Sequence, residues 1–302
     1  MMRIIILRAV LLSTLVNMAH AAPASDLVSA IPGFPADAPF KTYSGYLDVP
    51  GPVAGYSSLK IAYIFNEAIS STPTSQPVVA WHQGGPGGNS FYGLFGEMGY
   101  YQVSEEGLRT NNATSWNLKA NMLYLDAPAG SNDPIGFSTC YEDGKVAQIC
   151  KWNDTSQAIA YAHTLMAFYK AFPEFGRSDL YLTGESYAGQ YLPNIANAIL
   201  TTPEFNASIP LKGLAVGNGC WGGDAYSVVC NGEHSEQNDL DNYWGKGLIS
   251  NRMYHDAYTT CGFKYGGNSG GPSNKDLSSE CNQALEDVSK TVGPHDIYGE
   301  FL

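Results

Sequence analysis

The chain has 302 residues, 44% hydrophobic and 15% charged, with 33 Gly and 17 Pro; this excludes a disordered or coiled-coil protein and fits a loop-rich globular one, one core plus a lobe. Its formal net charge of -12 leaves no basic surplus to displace counterions from phosphates, which argues against unaided binding to nucleic acid or an anionic membrane. The first element is an apolar run, Ile4 to Val16, set between Arg3 and Ala19-His20-Ala21. That is the pattern of a secretory signal peptide over residues 1–22. Arg8 interrupts the run, which is shorter than the ~20 apolar residues a membrane span needs. No later segment is long enough either, so no membrane association is expected once the signal is removed.

Tyr43 to Val49 and Leu59 to Phe65 alternate apolar and polar residues around Pro50-Gly51-Pro52, which predicts an opening hairpin. Val78 to Trp81, Asn121 to Leu125 and Asp179 to Thr183 are short apolar runs, as expected of parallel strands buried on both faces. Between the last two, Asp154 to Phe172 puts Ile159, Ala162, Met166 and Tyr169 on one helical face, with Thr155 and Ser156 as N-caps. A second helix, Gln190 to Leu200, and a strand, Leu211 to Val216, follow. Alternating strands and helices predict an α/β fold: a central, mostly parallel sheet covered by helices, over residues 23–219.

From Gly217 the texture changes. Cys220 to Asp241 is polar, Tyr243 to Tyr258 is helix-like, and Gly266 to Ser273 is a flexible stretch. Residues 220–302 are expected to form a lobe inserted above the sheet. In the oxidising compartment that a signal peptide implies, the six cysteines suggest disulfides. Cys140 with Cys150, Cys220 with Cys230 and Cys261 with Cys281 are the simplest pairs among several. Asn112-Ala113-Thr114, Asn153-Asp154-Thr155 and Asn206-Ala207-Ser208 are glycan acceptor sequons.

The chemistry begins where strand Asp179 to Thr183 runs into Gly184-Glu185-Ser186-Tyr187-Ala188-Gly189 and a helix. Strand, tight turn, helix is the setting of a nucleophile elbow, in which small neighbours let a strained serine expose its hydroxyl. Ala188 stands where the general pattern expects Gly, and alone the motif is weak against a helix-capping serine. A second motif, His82-Gln83-Gly84-Gly85-Pro86-Gly87-Gly88, follows an early strand, where a hydrolase of this type places an oxyanion-hole loop. Both loops, in this order and after these strands, point to acyl chemistry.

WHQGGPGGNSFYGLFGEMG, NMLYLDAPAG with GFS close behind, LYLTGESYAGQYLPNIA and VGNG resemble the serial motifs of the serine carboxypeptidase family, over most of residues 43 to 302. The resemblance implies an α/β-hydrolase fold with an inserted cap lobe, removal of C-terminal residues from peptides or proteins, an acid pH optimum, and no metal or organic cofactor. It makes Ser186 the nucleophile and gives the oxyanion hole to the amides of Gly85 and Tyr187. Gln83, Gly84, Glu97 and Glu185 fall where the family binds the substrate's terminal carboxylate. Two carboxyl groups held close do not both ionise cheaply, so one keeps a proton it can donate to that carboxylate. Three departures bear on substrate fit: Gln83 replaces Asn, Gly88 replaces Cys, and Ser131 to Ile135 interrupt a compact Gly-x-Gly-Phe-Ser turn.

The family's acid and histidine follow the nucleophile. His234, His255 and His295 stand in no Gly-His-Met-like turn, and His20, His82 and His163 come too early. The resemblance thus implies that the last strands, with the triad Asp and His, lie beyond residue 302, so that the chain as written is hydrolytically poor and exposes a sheet edge. Two rival functions remain open: an acyltransferase sharing the acyl-enzyme, and a non-catalytic pseudoenzyme. Retention of both Glu97 and Glu185 favours the peptidase. The destination implied is extracellular or vacuolar/lysosomal.

Overall fold

Apolar alternation dictates the first long elements of the computed structural model, which describes residues 22–104, 107–130, 136–220, 233–264 and 271–293. After a short strand β1 (Leu27–Val28), strands β2 (Thr42–Val53) and β3 (Tyr56–Asn66) form the expected hairpin, longer than the pattern suggested. Then come β4 (Val78–His82), the small hairpin β5 (Tyr101–Ser104) and β6 (Gly107–Thr110), and β7 (Asn121–Leu125). The short β8 (Thr139–Glu142) and β9 (Lys145–Val146) precede helix α1 (Asp154–Ala171), strand β10 (Leu180–Glu185), helices α2 (Ala188–Thr201) and α3 (Pro203–Ser208), and strand β11 (Leu211–Gly217).

The main sheet has the order β1-β2-β3-β7-β4-β10-β11, with β8 and β9 attached to β3. Pairing is antiparallel from β1 through β3 to β7 and parallel from β7 through β4 and β10 to β11. Successive residues serve opposite faces. Phe65, Val78, Ala80, Leu123 and Leu125 join the core beneath α1 and α2, while Ile64, Trp81, Met122 and Tyr124 join a second cluster with Leu94 and Met98. The strands of the centre therefore read as unbroken apolar runs.

Helix α1 starts differently from expectation. Its N-cap is Asn153, whose Oδ1 accepts from Ser156 N while Asn153 N donates to Ser156 Oγ. Thr155 and Ser156 are instead inside the first turn, because the reciprocal pair satisfies two helix-end donors that a cap further along would leave open. The helix is also buried beyond the expected stripe, over Ala158, Tyr161, Leu165 and Phe168. Sheet and α2 both cover it. Phe65, Phe168, Phe172 and Phe175 are fully buried, with Phe65 ring centroids 5.0, 5.0 and 5.1 Å from the other three.

Contacts divide the chain into two units, Met1–Gly217 and Asn218–Leu302. In the second, the single helix expected over 243 to 258 is two helices, α4 (Ser235–Gly245) and α5 (Asn251–Cys261). Gly247, at φ +73°, turns the chain between them, and Ser250 caps α5 through Met253 N. An unanticipated helix, α6 (Ser279–Val292), packs on α5 around Leu240, Tyr254, Tyr258, Cys281 and Val288. Disulfides link Cys140 to Cys150 and Cys261 to Cys281. Cys220 is also disulfide-bonded, while Cys230 lies outside the described residues, as do the signal segment 1–21, the interruption 131–135, most of the Gly-rich stretch, and His295.

The Phe cluster should dominate the stability of the first unit. Phe65→Ala is expected to cost about 3–5 kcal/mol, whereas Leu200→Ala, 59% exposed on α2, should stay within about 0.5 kcal/mol. Denaturant midpoints by tryptophan fluorescence measure both; equal midpoints would contradict the assignment of this core.

Candidate active site

Strand β10 lies between β4 and β11, in register at Gly184 with His82 and at Glu185 with Gly217. The chain then reverses sharply. Ser186 adopts φ +56°, a left-handed conformation that serine rarely takes, and Ser186 N donates to Gly217 O at 3.1 Å. Tyr187 is the N-cap residue of α2, and Gly189 N donates to Ser186 O at 2.9 Å. The cost of the strained residue is met by the two strands and the helix that fix it on either side.

Two glycines make the turn possible. A Cβ on Gly184 would stand 2.3 Å from His82 O and 2.6 Å from Ala188 Cβ; one on Gly84 would stand 2.7 Å from both Ser186 Cβ and Tyr187 N. The second close approach brings the loop after β4 against the serine turn. Gly88 N donates back to Gly84 O at 2.9 Å, and Gly87 N to Tyr191 Oη at 3.1 Å. The amides of Gly85 and Tyr187 make no such bond among the described residues, so both remain available to an oxygen beside Ser186. Backbone donors held in this way are what an oxyanion hole requires.

The carboxylate-binding candidates also converge. Gln83 Nε2 donates to Glu185 Oε1 at 2.6 Å and to Glu97 Oε1 at 3.2 Å. The two carboxyl groups hydrogen-bond each other, and burial together with the Glu185 charge pushes Glu97 up to about 7, against a smaller opposing effect of Gln83. One proton is therefore retained between them at acid pH. Glu97 arrives on a short π-helical turn, Gly93–Glu97, and Glu185 on the last residue of β10, next to the serine.

Sequence reasoning passed over three residues here. Trp81 Nε1 donates to Gln83 Oε1 at 2.9 Å, which turns the amide so that its NH₂ faces the acids. The two-residue spacing, placing Trp81 and Gln83 on one side of an extended chain, was the available signal. His82, fully buried, has Nδ1 2.7 Å from Gln83 O and Nε2 2.7 Å from Gln157 Nε2. Tyr161 and Tyr191 rings lie at 5.0 and 4.4 Å, and burial lowers its pKa to about 4. The neutral imidazole thus donates from Nδ1 and accepts at Nε2, tying β4 to α1. Asp126 Oδ2 accepts from Phe137 N and Ser138 N at 2.6 and 2.7 Å, fixing the Gly-Phe-Ser segment.

The fold and this serine turn define the α/β-hydrolase class. A family model described as "Serine carboxypeptidase" matches residues 32–301, and the chain belongs to that family. It is 35% identical over 275 residues to the lysosomal protective protein of Mus musculus, covering 91% of this chain and 51% of that protein. It is 32% identical over 279 residues to serine carboxypeptidase-like 26 of Arabidopsis thaliana, covering 90% and 55%. The crystal structure of KEX1(delta)p, a prohormone-processing carboxypeptidase of Saccharomyces cerevisiae, superposes with a TM-score of 0.55 at 22% identity, over 86% of this chain and 55% of that one. The chain spans about half the length of these curated relatives.

If the Glu185 charge holds part of the proton on Glu97, Glu185→Gln should lower the Glu97 pKa below its value of about 7, yet leave it above the ordinary range because burial remains. Carboxyl-labelled NMR titration reads this directly. An unmoved Glu97 pKa in that variant would show that the two acids do not share a proton.

Proposed function

We propose that this chain carries the nucleophile and the carboxylate-binding group of a serine-type carboxypeptidase acting on peptide or protein C-termini. The observation that carries the proposal is the Gln83, Glu97 and Glu185 cluster set one residue from Ser186. An ordinary serine hydrolase has no need of a protonated acid pair beside its nucleophile; a protein that grips a free carboxylate does. The neutral member donates a hydrogen bond to the incoming carboxylate, and Gln83 and the Gly84 backbone complete the grip.

Ser186 Oγ then bonds to the carbonyl carbon before the last residue. The carbonyl oxygen becomes an oxyanion that accepts from Gly85 N and Tyr187 N, and the C–N bond breaks, releasing the C-terminal amino acid. Water repeats the attack on the acyl-serine and frees the shortened peptide. The Oγ proton passes to the histidine that the family resemblance puts after Ser186 in chain order, oriented by an acid, and from it to the departing amine nitrogen; in the second half the same histidine takes a proton from the water and returns it to Oγ. Residues 23–219 supply the hydrolase core and residues 220–302 the inserted lobe.

A secretory destination, extracellular or vacuolar/lysosomal, is supported by the Ile4 to Val16 run, by the disulfides, and by the lysosomal name of a relative. Asn112, Asn153 and Asn206 are all exposed, as glycan attachment requires.

Because Glu97 is neutral below about 7 and charged above it, affinity for a free C-terminal carboxylate should be full at acid pH and fall as pH rises through that value. Calorimetric titration of a blocked dipeptide at a series of pH values tests this against its C-terminal amide. The acid should bind at least ~10-fold more tightly at acid pH, the difference vanishing toward alkaline pH. A pH-independent preference, or none, would overturn the clamp.

A further inference from the structure

A cavity of about 320 Å³ adjoins the oxyanion candidates, lined by Gly87 of the glycine loop, by Tyr187 and Tyr191, and by Trp152 and Asp154 at the start of α1. None of Gln83, Glu97 and Glu185 lines it. A peptide held by its carboxylate at those three residues and by its scissile carbonyl at Ser186 would present to this cavity the acyl side of the bond.

The chemistry of its walls is specific. Asp154 is half-buried, and its carboxylate accepts only from Tyr187 Oη, at 3.2 and 3.4 Å, with no cation paired to it among the described residues. Carboxylate oxygens have capacity for further donors. Gln157, 2% exposed, also lines the cavity, but its Oε1 is itself buried, which leaves Asp154 as the charged acceptor of the wall. Trp152 Nε1 is spent on Ala129 O at 2.7 Å, and the Tyr187 and Tyr191 rings meet edge to face at 4.9 Å.

The Asp154 carboxylate and aromatic surfaces thus converge on one space, without a countercharge among the described residues. The positive end of α1 does not reverse this, since Asn153 caps it and Asp154 sits in its first turn. An anionic or plain apolar side chain would leave the carboxylate unpaired; a guanidinium or ammonium would satisfy it while lying against the rings.

We infer that this cavity is a subsite for a cationic side chain, arginine or lysine, on the acyl side of the scissile bond, with Asp154 as its counter-ion. The inference rests on the carboxypeptidase reading, since that reading orients the substrate. It sets a preference for the residue that becomes the new C-terminus, not the one released.

The test uses the full chain prepared without N-glycans, because Asn153 lies at the same cavity. A Ser186→Ala background prevents turnover. Acetyl-Arg-Phe and acetyl-Leu-Phe, each as free acid and as amide, are titrated by calorimetry at about pH 5, where Glu97 keeps its proton. The arginyl acid should bind about tenfold more tightly than the leucyl acid, an advantage that shrinks with added salt. Asp154→Asn should erase it while leaving the leucyl peptide unchanged; the salt dependence in the unaltered Asp154 protein gives the same information if that variant melts early. Equal affinities for the two acids, or an arginyl advantage that survives Asp154→Asn, would overturn the subsite. Acid and amide binding equally, with the arginyl advantage kept in both, would support the subsite and sink the clamp instead. Failure of all four ligands to bind would overturn both.

Discussion

Placing a serine hydroxyl beside two unused amide hydrogens requires two loops, distant in sequence, to meet backbone to backbone with no room for a methyl group between them. Gly84 makes that contact with the Ser186 turn, and Gly184 makes the matching one with His82 O. Everything else in the site follows from this closeness. Parallel pairing of β4 with β10 ends both strands at the same level, so their following loops leave the sheet together. The left-handed Ser186 then reverses the chain from β10 into α2, the turn that exposes a nucleophile in folds of this kind. A fold without adjacent parallel strands would need long connections to hold these loops, and would hold them less rigidly.

The end of β4 is kept in place by a polar bridge that carries no charge. His82 is fully enclosed, and a charged imidazole there would lose its hydration without an ion partner. Burial holds it neutral down to about 4, so the Gln83 O to His82 to Gln157 chain of bonds persists through the acid range. That matters because Gln83 has a second duty: its side chain reaches the acid pair while its backbone is fixed from behind. Trp81 fixes the same amide from the other side. The proposed grip on a carboxylate would therefore be set by side chains whose own rotamers are constrained.

Much of this was legible in the chain itself. Apolar runs with period two or none gave the hairpin and the central strands, because burial on one or both faces writes itself directly into residue order. Gly184, Ser186 and the Gly84 loop were legible because few residue types tolerate such contacts. The cap of α1 was misassigned because Asn153, Thr155 and Ser156 all have capping side chains, and only the reciprocal bond between Asn153 and Ser156 separates them. The break between α4 and α5 was missed for a similar reason. A helix-like pattern crosses residues 246–250, and Gly247 ends the first helix through a positive φ that composition does not reveal. The role of Asp154 is not legible because its partner, Tyr187, lies far along the chain and no local spacing records that; Trp81 differs, since its partner Gln83 stands two residues on.

The acid pair shows why such a site works against the stability of its own fold. A carboxyl group raised from its ordinary value to about 7 favours the native state only while it is protonated in both states. As pH rises from the unfolded value toward 7, the unfolded chain ionises first, and folding loses the difference. Glu97 therefore makes the empty site progressively less stable toward neutral pH. A bound carboxylate relieves nothing at high pH, since it adds a third negative group. At low pH, in the proposed mode, it would accept the retained proton's hydrogen bond and the Gln83 donor at little cost. The same electrostatics thus tie occupancy, stability and pH together, and an acidic compartment is the setting in which this arrangement is most favourable both empty and filled.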